Sequence, residues 1–144
     1  MHLHAGARRL LLALSFGLAA HAAAAPLPTS PAGKSAEAYM SARDKGDYAR
    51  MAEMLTEGSS DGAWSREKVQ RVDASRLRVS GDVKSRRYVT EKPGQAGAVT
   101  VIYETEFSKA GRTEERVLVL SQGGKPVVNG HSAVHCNTGA CFKD

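Results

Sequence analysis

Apolar residues change their spacing once along this chain, and the change divides it in two. From Lys34, Ala36, Tyr39, Met40 and Ala42 recur at intervals of three and four until Gly46, the spacing of one helix face. Asp47 then stands where a helix N-cap belongs, ahead of "YARMAEML", in which Tyr48, Met51, Met54 and Leu55 share a face. The stretch "TEGSSDGAW" reads as a loop. A third helix, "SREKVQRVDASRL", opens on Ser65 as cap and is expected to turn Val69, Val72 and Leu77 inward. Trp64, just before that cap, is placed to act as a hydrophobic staple.

Beyond Gly81 the period falls to two. "DVKSRRYVTEK" predicts a strand that ends at the turn signal Pro93-Gly94. In "AVTVIYETEF", Val99, Val101, Tyr103, Thr105 and Phe107 alternate with Thr100, Glu104 and Glu106, the pattern of a sheet with one buried face. "KAGR" predicts a hairpin, "TEERVLVLSQ" a third strand, "GGK" a turn, and "PVVNGHSAVH" a fourth strand interrupted at Gly130. The expected fold is therefore α+β, with N-terminal helices packed on a curved four-stranded antiparallel sheet.

The first 25 residues stand apart from this pattern. Arg8 and Arg9 precede a short apolar run from Leu10 to Ala20, and Ala23-Ala24-Ala25 offers small-residue cleavage choices. These are the parts of a secretory signal peptide, and the run is shorter than the roughly 20 apolar residues of a membrane span. The expectation is cleavage near Ala25, a periplasmic or secreted product, and no transmembrane segment thereafter. Residues 26–33, with three prolines and a glycine, read as a flexible lead-in to a domain over 34–135, and 136–144 as a clipped tail. Cleavage also removes Arg8 and Arg9 from a formal net charge of +5, leaving a modest, dispersed surplus. With no basic cluster beyond Arg86-Arg87, nucleic acid is not an expected partner.

The order of elements, with "DKGDYARM" in the helices, "SGDVKSRR" entering the sheet and "VIYETEF…ERVLVL…GGK" along it, resembles a family. The chain is similar to the bacterial domain-of-unknown-function family numbered 4019 over Ala36 to Val134. Gly81, Val83, Ser85 and Arg86, followed by Tyr103, Thr105 and Phe107, are the most specific matches. The resemblance implies a cystatin-like or nuclear-transport-factor-2-like cone and export, and it brings no activity. Pro126 stands where an aromatic is expected after the Gly-Gly turn, and His131 where a tyrosine is expected in the last strand.

The remaining chemistry is sparse. Cys136 and Cys141, the chain's two cysteines, flank the turn-forming Asn137-Thr138-Gly139-Ala140, and in an oxidising compartment two such cysteines pair as a structural disulfide. A metal site would draw on His131 and His135, but even strand spacing sets both imidazoles on one face and Cys136 on the other, which divides the ligands. No nucleophile elbow, zinc-protease motif or phosphate loop is present, and no cofactor is implied. Arg86, Tyr103 and His131 are the candidate ligand-binding residues inside the cone. For Tyr103 and His131, core packing with a satisfied polar tip is the plainer role. Of the adjacent Arg86 and Arg87 one should face solvent and one the helices or cone mouth, and the plainer role is an arginine pairing with Glu104 or Glu106 across the sheet. The sequence thus points to a non-enzymatic domain that binds a small molecule, peptide or envelope protein. The alternatives are an isomerase- or hydrolase-like cavity enzyme and a metal-handling periplasmic protein.

Overall fold

A computed structural model describes residues 26–55, 63–136 and 141–142. The expected signal peptide over residues 1–25, most of the "TEGSSDGAW" loop and the turn between the cysteines lie outside the described residues. Three helices, α1 (Pro31–Asp44), α2 (Tyr48–Met54) and α3 (Arg66–Ser80), precede four strands, β1 (Val83–Pro93), β2 (Val99–Phe107), β3 (Gly111–Gln122) and β4 (Lys125–His135). The strands form one antiparallel sheet in the order β1-β2-β3-β4, with the helices packed on one face. This is the α+β architecture the alternating pattern predicts.

The helix starts follow from capping. Helix α1 begins three residues before Lys34, because Ser30 accepts a hydrogen bond from the Gly33 N–H at 2.8 Å and Pro31 pre-sets the first helical φ. The same hydroxyl donates to Glu91 of β1 at 2.6 Å, which ties the helix start to the sheet. Asp47 caps α2 through Arg50 N–H, and Ser65 caps α3 through Lys68 N–H, both as the sequence suggests.

Helix α3 runs on past Leu77 to Ser80 and stops at Gly81, whose φ of +77° disfavours any side chain. There the β2–β3 hairpin folds against the helix end, Lys109 and Ala110 N–H both donating to Ser80 O. One helix face differs from expectation. Val69 is buried, but Val72 is half-exposed, and the inward position one residue later belongs to Asp73. The helix turns its Val69–Asp73–Arg76 row toward the core, because Asp73 has a buried cation to meet.

The core lies between Ala36, Tyr39 and Met40 of α1, Met51 of α2, Val69 of α3 and the inward row Val101, Tyr103, Val117, Val119 and Val128. Odd-numbered residues of β2 and β3 face the helices, as the alternation predicts. A bulge opposite Leu118 and Val119 absorbs Asn129, so Val128 pairs with Val119 while His131 pairs with Val117, and both point inward.

Candidate functional site

One end of the helix–sheet interface is filled by ions instead of apolar side chains. At its centre is Glu115 of β3, fully buried, on the same parity as Val117 and Val119. Oε1 accepts from Arg43 Nη1 at 2.7 Å and from His131 Nε2 at 3.0 Å. Oε2 accepts from Arg86 Nε at 3.0 Å and from the Thr105 hydroxyl at 2.5 Å. Four donors on two oxygens satisfy a carboxylate whose burial would otherwise be prohibitive.

The cations are paired in turn. Arg43 Nε donates to Asp73 Oδ1 at 2.8 Å, and Arg86 Nη1 donates to Asp44. Arg76 Nη1 lies 2.6 Å from His131 Nδ1. Because a guanidinium only donates, Nδ1 must accept, so Nε2 carries the proton given to Glu115. His131 is therefore a neutral imidazole with both nitrogens engaged.

Electrostatics follows from this packing. Burial pushes the His131 pKa down to about 4, and the nearby charges of Arg76 and Arg43 add to that, against the opposing hydrogen bond to Glu115. Burial alone would raise the Glu115 carboxyl, but the His131 hydrogen bond and the Arg86 and Arg43 charges overturn it, leaving Glu115 well below the usual carboxylate range. The Tyr103 hydroxyl is raised by burial and by the charge of Glu37.

Two of the three candidate ligand-binding residues, Arg86 and His131, meet on Glu115. The third, Tyr103, is buried beside them without joining the network; it stacks edge-on against Tyr88, with ring centroids 6.3 Å apart. Arg86 and Arg87 face opposite sides as adjacent strand residues must. The cross-strand pairing to Glu104 belongs to Arg87, at 3.0 Å, while Arg86 turns inward to Glu115. His135 shares the inner face with His131, its Nδ1 3.3 Å from the Thr113 hydroxyl. Among the described residues no set of three or more His, Cys, Asp or Glu side chains gathers as a metal-holding group.

Arg43, Asp73, Arg76 and Glu115 are members of this ion cluster that periodicity alone passes over. Three of them nonetheless carry a signal, being a charge at an apolar-parity position: Arg43 three residues after Met40, Asp73 four after Val69, Glu115 two before Val117.

On the outer face Glu114 is also fully buried, held by Arg116 and by the Phe142 backbone N–H. The tail reaches it because Cys136 and Cys141 sit at disulfide distance, with Cα atoms 5.1 Å apart. The Phe142 ring lies under Arg112, 4.9 Å from the guanidinium carbon.

Beside the network, between α2, α3 and β4, opens a cavity of about 80 Å³. Met51, Leu55, Trp64 and Val69 form its apolar wall, and Asp73, Arg76 and His131 line its polar side. No helix among the described residues is long and apolar enough to cross a membrane.

No family model and no curated protein matches the chain. Among solved structures it is similar to a DUF4783 family protein from Bacteroides fragilis YCH46, at 14% identity and a TM-score of 0.48, over 67% of this chain and 93% of that one. It is also similar to a protein from Campylobacter jejuni described as an NTF2-like transpeptidase, at 14% identity and a TM-score of 0.44, over 66% and 94%. A protein from Kribbella flavida DSM 17836 matches at 14% identity and a TM-score of 0.49, over 74% and 87%. At these identities and scores the likenesses lend this chain no residue role, activity or ligand.

Proposed function

We propose that the chain is an exported, non-enzymatic binding domain of the cone type suggested by its likeness to family 4019, and that it takes an apolar group of a small molecule, peptide or envelope protein into the cavity beside Trp64. The observation that carries this reading is the division of labour at the interface. The buried ionisable groups are matched to one another, so neither Glu115 nor His131 is poised as a base. The adjoining cavity has instead a hydrophobic wall and a few convergent polar groups, the make-up of a ligand pocket. The Cys136–Cys141 pair supports an oxidising destination, since disulfides persist in exported proteins.

Trp64 is the chain's one tryptophan and lines the cavity, so its emission reports occupancy. Titration with isobutanol and isobutyramide is expected to shift Trp64 emission. Val72→Phe, which narrows the rim at a half-exposed position, is expected to blunt that shift. An unresponsive Trp64 with both probes would mean that the cavity takes no neutral aliphatic group.

A further inference from the structure

The three arginines of the network are not equally neutralised. Arg43 donates to two carboxylates, Asp73 at 2.8 Å and Glu115 at 2.7 Å. Arg86 likewise reaches both Asp44 and Glu115. Arg76 differs. Its short hydrogen bond goes to His131 Nδ1, a neutral acceptor, and its one carboxylate, Asp73, lies 3.9 Å away with Oδ1 already held by Arg43. Arg76 is also the arginine that lines the Trp64 cavity, with 19% of its side chain exposed. A mostly buried guanidinium whose nearest carboxylate, Asp73, is engaged chiefly by Arg43 therefore borders a cavity with an apolar wall.

We propose that this cavity selects a short aliphatic carboxylate, whose anionic end pairs with Arg76 while its hydrocarbon body lies against Trp64, Met51 and Val69. A guanidinium and a carboxylate form charge-assisted, often bidentate hydrogen bonds, and these strengthen where water is excluded. His131 acts here as a positioning residue. It fixes Nη1 from the sheet side, so that the guanidinium is held at the cavity wall. Burial, followed by the charge of Arg43, depresses the Arg76 pKa and outweighs the opposing charges of Asp73 and Glu115.

Size limits the ligand. The cavity, about 80 Å³, is roughly half of one that admits benzene, which leaves room for an aliphatic body of about three or four carbons. Two sources supply that chemistry: a free short-chain acid, or the C-terminal residue of a peptide ending in a small aliphatic side chain.

This proposal rests on the binding reading above, and one titration separates the two. Isobutyrate, isobutyramide and isobutanol are compared by Trp64 emission and calorimetry on the intact mature chain. Isobutyrate is expected to bind with a dissociation constant on the order of millimolar, at least roughly tenfold tighter than the isosteric amide. In Arg76→Gln that preference disappears while the amide and alcohol responses persist. Should Arg76→Gln fail to fold, the wild-type contrast of acid with amide decides by itself.

Gly-Gly-Val with free and amidated C-termini identifies the source. A free-end preference assigns the site to peptide ends, and binding of isobutyrate alone assigns it to free acids. Equal binding of acid and amide overturns the carboxylate proposal and leaves the pocket standing. No binding by any probe removes both.

Discussion

Arg76 and His131 meet nitrogen to nitrogen at 2.6 Å, an approach that only a neutral imidazole tolerates. Protonating Nδ1 would face one N–H with another and leave the interface with an extra buried charge. The contact therefore makes the whole ion cluster sensitive to acid.

The sign of that sensitivity is set by the direction of the shift. The folded His131 pKa, about 4, lies below the ordinary 6.5, so the unfolded chain takes up the proton first. The stabilisation is complete above about pH 6.5 and declines as pH falls toward 4, by up to about 3 kcal/mol. Glu115 acts in the same sense at lower pH. Its depressed carboxyl stabilises the fold above the ordinary carboxylate pKa, and that contribution is lost as acid protonates it. Urea midpoints between pH 7 and 4.5 should fall more steeply for the wild type than for His131→Gln, which keeps a donor and an acceptor but does not titrate. Parallel curves would falsify the neutral-histidine assignment.

Removing one charge from the cluster should cost far more than removing one from the surface. Glu115→Gln leaves Arg43 and Arg86 short of an anion and is expected to destabilise by about 3–5 kcal/mol. Glu104→Gln breaks pairs with Arg87 and Arg112, both more than half exposed, and should cost about 1 kcal/mol or less. Chemical denaturation of the two variants side by side tests the contrast. Similar losses would mean that the buried carboxylate is not the hub.

Cys136→Ser with Cys141→Ser should act locally. The pair is separated by only five positions, and so short a loop is worth about 2 kcal/mol in the chain-entropy picture. Hydrogen exchange is expected to quicken at Phe142, whose N–H is held by Glu114, with little change along β2. Intact mass of the wild type should lie two hydrogens below that of its reduced form. Exchange that quickens along the whole sheet would show the clip to be a global constraint instead.

Two glycines give opposite expectations. Gly81 combines a φ of +77° with a position where a Cβ would press on Ser108 and the Lys109 backbone, so Gly81→Ala should destabilise by about 1–3 kcal/mol. At Gly130 a Cβ meets nothing within 4 Å and φ is ordinary, so Gly130→Ala should be neutral or stabilise by up to about 1 kcal/mol. Thermal midpoints of the pair check both signs.

Which parts were legible beforehand depends on what each pattern reports. Strand period and helix caps report local geometry, and they place β1 through β4 and the caps Asp47 and Ser65 well. The inward histidine and the opposed Arg86 and Arg87 follow from the same alternation. Glu115, Arg43 and Asp73 were not legible because period-based reading treats a charge as a solvent marker. Their burial depends on three distant segments supplying opposite charges at once, which no local window contains. Val72 lies off the buried face for the same reason: that face is set by Asp73 meeting Arg43, not by apolar spacing.

Glu114 and Glu115 are neighbours on one strand, each fully buried, on opposite faces of the sheet. Slipping β3 by one residue would turn Glu114, Arg116, Leu118 and Leu120 inward in place of Thr113, Glu115, Val117 and Val119. Each row carries a glutamate and two aliphatic side chains, so apolar spacing separates the two alignments chiefly at Arg116, although a one-residue slip turns every side chain over. The fit of Arg43, Arg86, Thr105 and His131 around one particular carboxylate distinguishes them sharply. The buried ions thus serve this sheet as a registration key, fixing which face of β3 the helices close upon.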